Sequence, residues 1–351
     1  MKPKYLVIII ALLAALWSAF WFFAVNRFET ALDAREAALS QRGISLQYSE
    51  RETSGFPFRL IATYTAFQAT GAGSGFGWGA NGAQAHVVAL PWNSHHAILD
   101  VADAGVVLSS DWQNARNEVK TYATQVQAAS LRMSISAKDS QLQRISLQLR
   151  DVDGESRLLG LGPFDAEDVQ FHLRWPVNPP AAPEDLEAAV QLEPALRIKN
   201  LHFKGRAMGA LGPNLDSLVM QSAIRGPEVP GRSADELSYW RLYGGTLDVP
   251  LFQLDWGPMH VTGDGTVAVD ELFRPIGAFS LQAQGLDAAL ATLEADTRIS
   301  SDAAEFLRIT LGALGAGEAG ETIPVPVMMQ NGIVSIGPVG IVETGSLQVR
   351  P

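Results

Sequence analysis

The chain has 351 residues, 47% of them hydrophobic and 18% charged, with a formal net charge of −11. That apolar content excludes a disordered chain, and the acidic balance excludes a nucleic-acid partner, because such affinity comes from Lys and Arg neutralising phosphates. The absence of cysteine excludes disulfide scaffolds and thiolate metal sites, while 32 glycines and 19 prolines point to a turn-rich β protein.

Tyr5–Val25 reads YLVIIIALLAALWSAFWFFAV, 21 residues with no charge and only Tyr5 and Ser18 polar. At about 1.5 Å per residue the run is ~30 Å long, the thickness of a bilayer's hydrocarbon core. Lys2 and Lys4 precede it and the first acidic residue is Glu29, so the positive-inside rule keeps the N-terminus cytoplasmic and exports everything beyond Asn26. The run ends Phe20-Trp21-Phe22-Phe23, without the small residues that signal cleavage needs, and reads as an uncleaved anchor. The expected partner is the lipid bilayer, through residues 5–25, and the expected location is the inner (cytoplasmic) membrane, single-pass, with the C-terminal bulk periplasmic. Ala11, Ala15 and Ala19 form a small-residue stripe that suits helix packing, though alanine is common in any apolar helix.

Without Lys2 and Lys4, 24 basic residues face 37 acidic ones, so the exported part carries −13. Phe28, Ala31, Leu32, Arg35 and Leu39 share a stripe that predicts an amphipathic helix over 28–42, continuing the spanning helix and stopped by Gly43. The period then falls to two. Ile44, Leu46 and Tyr48 alternate with polar residues, Gly55-Phe56-Pro57 turns the chain, and Phe58, Leu60, Ala62 and Tyr64 alternate again. Further strands are predicted at His86–Leu90, Ala97–Val101, Leu131–Ala137, Ile145–Leu149 and Val169–Leu173, with Asp153-Gly154 as a tight turn.

Pro176–Pro183 (PVNPPAAP) marks a boundary, and a short helix is expected over 184–192. Leu196, Ile198, Leu201 and Phe203 form a strand whose alternation breaks once, and Ser233-x-x-Glu236 is a capping box for a helix over 234–243. A meander follows over Thr246–Trp256, Met259–Thr262, Thr266–Asp270 and Ala278–Gln284, with Asp264-Gly265 as a hairpin turn and Pro250 at a bulge or edge. Helices are predicted over 286–296 and 302–314, and Asn331-Gly332 is the strongest hairpin signal. The fold expected is mainly β (α+β): a transmembrane helix, then antiparallel sheets forming a groove or sandwich with a few short helices. The divisions are an anchor over 1–26, a β-rich region over 27–175, a Pro-rich linker and short helix over 176–192, and a second β-rich region over 193–351.

Several segments resemble a bacterial family known as domain of unknown function DUF2125. They are the anchor, Ser54-Gly-Phe-Pro-Phe-Arg59, Ala89-Leu-Pro-Trp92, Gly244-Gly-Thr-Leu-Asp-Val249, Trp256-Gly-Pro-Met-His260, Gly265-Thr-Val-Ala-Val-Asp270 and Asn331-Gly-Ile-Val-Ser-Ile-Gly-Pro338. The resemblance spans nearly the whole chain and implies no activity or catalytic residue. An anchor, an amphipathic helix and a strand–turn–strand also resemble the start of AsmA-like envelope proteins, which implies lipid handling along a β-lined groove.

No motif carries chemistry. The histidines are His86, His95, His96, His172, His202 and His260; His95 and His96, on a strand, would face opposite sides and share no metal. Gly315-Ala-Gly317-Glu-Ala-Gly320 has the dinucleotide spacing, but a helix precedes it and a proline-containing strand follows, the reverse of what a pyrophosphate site needs. Gly71–Gly79 lacks a P-loop's Lys-Ser/Thr ending and reads as a mobile loop, and Ala72 stands where a nucleophile elbow around Ser74 needs glycine. The pairs Asp151/Asp153, Asp165/Glu167/Asp168 and Glu184/Asp185 read as solvated acids in turns or at a helix start, without EF-hand spacing. Trp78, Trp92, Trp112, Trp175, Trp240 and Trp256 either pack at sheet ends or line an apolar groove.

The function expected is non-enzymatic: an anchored envelope protein, structural or handling lipid or another hydrophobic ligand, with no catalytic residue, cofactor or metal and with lipid or another envelope protein as partner. The expected lining is Phe58, Leu60, Leu131, Met133, Ile135, Leu247, Val249, Val267 and Val269. The alternative is an anchored hydrolase with a site assembled from scattered Asp and His residues.

Overall fold

The apolar run and the amphipathic stretch after it form one helix in the computed structural model, α1 (Pro3–Gln41). Residues 3–73, 76–113, 119–138, 141–157, 161–176, 189–204, 211–231, 233–295, 304–306, 308–309, 312, 322–337 and 339–347 are described. The helix is long and apolar enough to cross a membrane, and only 6% of its most apolar window is buried. Gly43, at φ 75°, ends it where the Arg42, Gly43 and Ile44 amides donate back to the carbonyls of Leu39 and Ser40.

The chain divides into two compact units, Met1–Leu161 and Gly162–Pro351. In the first, β1 (Ser45–Gln47) and β2 (Glu50–Ser54) both pair with β3 (Leu60–Gly73). β4 (Phe76–Leu90), β5 (Asn93–Gln113), β6 (Val119–Lys138) and β7 (Gln141–Ser156) follow as an antiparallel meander. Pairing sets the apolar positions in rows on one face: Leu60–Ala89–Ala97–Ile135–Ile145, Ala62–Val87–Leu99–Met133–Leu147 and Tyr64–Ala85–Val101–Leu131–Leu149. Their neighbours in sequence take the other face, as a period of two requires, and are mostly polar apart from the row Ile61–Val88–Ile98.

These strands run well past the predicted segments, because a line of residues crosses the sheet and resets the alternation. Ala66 (φ 52°), Asp103 (φ 49°) and Asp151 (φ 49°) adopt the left-handed conformation in β3, β5 and β7. Ala83 and Ala129 stand at the same level in β4 and β6, where the ladders skip a pair. Core-facing positions pass from Tyr64 to Phe67, from Val101 to Ala104, from Leu131 to Ala128 and from Leu149 to Val152. Each strand thus holds one extra residue, and pairing resumes in the same register at Phe67 with Gly82 and at Ala128 with Val152.

Asp153-Gly154 is therefore not a turn. It lies inside β7, opposite Gln127 and Val126, where a Cβ on Gly154 would meet the Gln125 carbonyl oxygen at 2.5 Å. The glycine serves close backbone approach. Likewise most of Gly71–Gly79 is paired strand and not a loop, with Gly71 opposite Trp78 and the indole lying over the glycine. Residues 74 and 75 lie outside the described set.

In the second unit β8 (Leu161–Arg174), β9 (Val190–Phe203), β10 (Asn214–Arg225), β11 (Thr246–Trp256), β12 (Met259–Val269) and β13 (Pro275–Gln284) pair in sequence. β14 (Ile323–Gln330), β15 (Ile333–Ile336) and β16 (Val339–Glu343) extend the meander. The break in β9 is Asn200, at φ 49°, opposite Glu167 and Asp216 by the surrounding register. Asn331-Gly332 turns β14 into β15 with both residues at positive φ, and the β11–β12 ladder shifts register at Pro250, between Val249 and Phe252.

Asp264-Gly265 does not turn the chain. These residues pair with Ser280 and Phe279 in the middle of β12, a Cβ on Gly265 would collide with the Phe279 ring, and the turn is at Gly257-Pro258. Val190–Leu192, expected to close a short helix, begin β9, while 184–188 and all of the Pro-rich stretch except Pro176 lie outside the described residues. Gly315–Gly320 lies outside them too. α2 (Ala234–Leu242) starts at Ser233 with both hydrogen bonds of the capping box, and α3 (Leu286–Ala295) follows β13. Described residues 304–306, 308, 309 and 312 are helical, as the 302–314 pattern predicts. In neither unit do the outermost strands pair with each other among the described residues, so each sheet is open.

Candidate apolar ligand site

The site begins where α1 seats on the first sheet. Trp21 and Ala24 bury with Leu60, and Phe28 and Leu32, one and two turns further on, pack against the cluster of Ala62, Tyr64, Ala85, Val101, Ala104 and Leu131. These contacts use the stripe at i, i+3 and i+4 that an amphipathic helix presents. A polar clamp holds the next turn. Glu36 accepts from Tyr48 Oη (2.9 Å), Tyr64 Oη (3.0 Å) and Arg51 Nη1 (2.8 Å), and Arg51 Nη2 donates to Asp33 at 2.6 Å. Burial, then the hydrogen bond to Glu36, pushes both phenols above their ordinary value. Burial works against the Arg51 charge, but its hydrogen bonds to Asp33 and Glu36 outweigh that and raise it.

The helix covers the β3 side of the apolar rows. Leu60 and Leu131 are buried, whereas Met133, Ile135, Ile145 and Leu147 on β6 and β7 are half-buried. An apolar floor is thus left partly open beside the helix. Phe58 stands apart, 61% exposed, with its ring 6.2 Å from Trp17. An apolar pocket beside it is lined by Leu13, Leu16, Trp17, Phe20, Phe23 and Phe58, among others.

In the second unit Leu247 pairs with Val267, and Val249 with Gly265, so Leu247, Val249, Val267 and Val269 share one face. Val249 and Val269 are buried, and Leu247 and Val267 half-buried. Nearby on this sheet α3 buries Leu290 against Val261, Ala283 and Val325. Eight of the nine expected lining residues therefore form two groups, one in each unit, and Phe58 belongs to neither.

The histidines lie elsewhere. Thr63 with His86 Nδ1 (3.0 Å) and His96 Nε2 with Ser134 (2.9 Å) sit on the face of the first sheet opposite the apolar rows. An imidazole beside a hydroxyl is half of a nucleophile–base pair, but these lie on the polar face. His202 meets Asp165 at 3.2 Å and His260 meets Asp255, both histidines 45% exposed. Among the described residues no group of three or more His, Cys, Asp or Glu could hold a metal ion.

A family model described as "Uncharacterized protein conserved in bacteria (DUF2125)" matches residues 21–344. The chain belongs to that family. Neither a curated protein nor a solved structure matches it. Two features of this DUF2125 member escape sequence reasoning. Asp33, Glu36 and Arg51 carry no pattern beyond ordinary surface charges, and only the fold joins them. Trp92 belongs to neither expected class: it is 57% exposed, its ring 6.3 Å from that of Trp17. By contrast, Ser54–Arg59, one of the segments that carry the resemblance, supplies the turn that meets Trp17 and Trp21 of α1.

Proposed function

We propose that this protein is a non-enzymatic envelope component, anchored by Tyr5–Val25 in the inner membrane with its sheets in the periplasm, that holds an acyl chain or similar apolar ligand on its first sheet. The observation that carries this reading is the half-open floor of Leu99, Met133, Ile135, Ile145 and Leu147. Its first row, Leu60–Ile145, lies at the end of the sheet next to Trp21. Burying an acyl chain gains about 0.8 kcal/mol per CH₂, so ~10 methylenes supply ~8 kcal/mol before ordering costs, enough for reversible binding. Lipid carriage along a β-lined groove, as the AsmA-like resemblance implies, is the specific form of this role.

Mass spectrometry of lipid co-purifying with the detergent-extracted protein tests the reading. Met133→Asp, at a half-buried position, should leave the protein folded but without bound lipid, because its charge keeps access to water. Leu131→Asp, at 7% exposure, should prevent folding of the first unit. A folded Met133→Asp variant that retains all its lipid defeats the proposal. For orientation, alkaline phosphatase fused after Ser40 should be active, since Lys2 and Lys4 hold the N-terminus inside. An inactive fusion reverses the topology.

A further inference from the structure

The turns at one end of the first sheet carry large apolar side chains that the sheet does not cover. Phe56, Phe58 and Trp92 are 55%, 61% and 57% exposed, the first two in the β2–β3 turn and the third between β4 and β5. All three pack against the apolar run of α1: Phe56 on Trp21 at 5.3 Å, and Phe58 and Trp92 on Trp17 at 6.2 and 6.3 Å. Trp17 Nε1 donates to the Pro57 carbonyl and Trp21 Nε1 to the Arg59 carbonyl, each at 3.1 Å.

The level of these contacts is fixed by the helix. Trp21 and Trp17 precede Val25, the end of the apolar run, by four and eight residues, which at about 1.5 Å per residue is ~6 and ~12 Å. Half a bilayer's hydrocarbon core is ~15 Å thick. We infer that the β2–β3 and β4–β5 turns are seated in the bilayer that α1 spans, with Phe56, Phe58 and Trp92 among the lipid chains of its outer leaflet. This rests on the reading of Tyr5–Val25 as a membrane anchor. The chemistry of the turn fits that medium. Backbone polar groups in hydrocarbon need partners within the protein, and here the anchor's own indoles take the Pro57 and Arg59 carbonyls while the Arg59 amide donates to Gly55. Arg59 is exposed, and its stem is long enough to carry the guanidinium to the headgroups. The occupant is lipid and not a second protein, because the aromatic residues continue the surface of the spanning helix itself. The row Leu60–Ala89–Ala97–Ile135–Ile145 then follows directly on the membrane-seated turns, and an acyl chain could pass from leaflet to sheet without crossing water.

A chain without cysteine allows single labels. The full-length variants Phe58→Cys, Trp92→Cys, Leu12→Cys and Gln125→Cys, each carrying a nitroxide, are reconstituted into vesicles of phosphatidylethanolamine and phosphatidylglycerol. Collision with oxygen, which partitions into lipid, is compared with collision with a water-soluble nickel chelate. Labels at Phe58 and Trp92 should give ratios nearer to Leu12, on the exposed face of α1, than to Gln125, on an exposed position of β6. Ratios matching Gln125 while Leu12 reads as lipid-exposed overturn the inference and leave the anchor standing. An aqueous Leu12 overturns both. Labels at Phe58 and Trp92 shielded from both quenchers mean protein contact, and also overturn it. Should Trp92→Cys misfold, Phe56→Cys carries the same test.

Discussion

Replacing Trp240 with alanine is expected to destabilise the second unit by about 3–5 kcal/mol, the cost of deleting a buried aromatic side chain. Trp240 sits in α2, 5% exposed, and its Nε1 donates to the Arg225 carbonyl at 2.7 Å. Two glycines accommodate the ring. A Cβ on Gly226 would lie 2.8 Å from the indole, and one on Gly245 would collide with it, so neither position offers a side chain to fill the space alanine leaves. Hydrogen exchange of the full-length protein should show the loss first in the amides of β10 and β11, which flank the indole. Trp240→Phe, which keeps most of the packing and loses the donor, should recover more than half of the stability. An alanine variant whose β10 and β11 amides exchange as slowly as the parent's contradicts the assignment.

Glu36→Gln is expected to cost about 2–4 kcal/mol, because it leaves Arg51 with a neutral neighbour in a partly buried place. Asp33 remains, but its side chain is 65% exposed against 23% for Glu36, so it replaces little of the lost attraction. The same clamp sets an alkaline limit. Tyr48 and Tyr64 have folded-state pKa values raised above the unfolded value, so their contribution is present below the unfolded phenol pKa and is lost as pH rises through the folded ones. Melting temperature should therefore fall above about pH 10, the ordinary phenol value, and fall less steeply in Tyr64→Phe. A melting temperature with identical alkaline slopes in the two proteins rules this out.

Where sequence reading succeeded, one local rule decided the outcome. The uncharged run made α1, the capping box made α2, Asn331-Gly332 made a hairpin, and Pro250 made a bulge. Failures came where the same local sign served a tertiary purpose. Asp153-Gly154 and Asp264-Gly265 carry the dipeptide of a tight turn, yet their glycines make room for the Gln125 carbonyl and the Phe279 ring of neighbouring strands. Alternation predicts the lining residues and does place all of them except Phe58 on shared faces, Phe58 falling in the turn before β3. It could not show that Leu60 lies beneath α1 while Met133 is left half open, because that depends on where the helix comes down. The strands exceed their predicted lengths for a related reason: a left-handed Asp103 or Ala66 looks in the sequence like the end of a pattern.

Those left-handed residues have a consequence for how the first sheet can be edited. Each of β3 to β7 carries one surplus residue, and all five lie on a single line. Deleting Asp103 alone would still leave Val101 and Ala104 facing inwards within β5. It would also slide half of that strand by one position against both β4 and β6, setting every side chain there opposite the wrong partner. The surplus can be removed only from all five strands together. The sheet can therefore lengthen or shorten at this line only as a whole row.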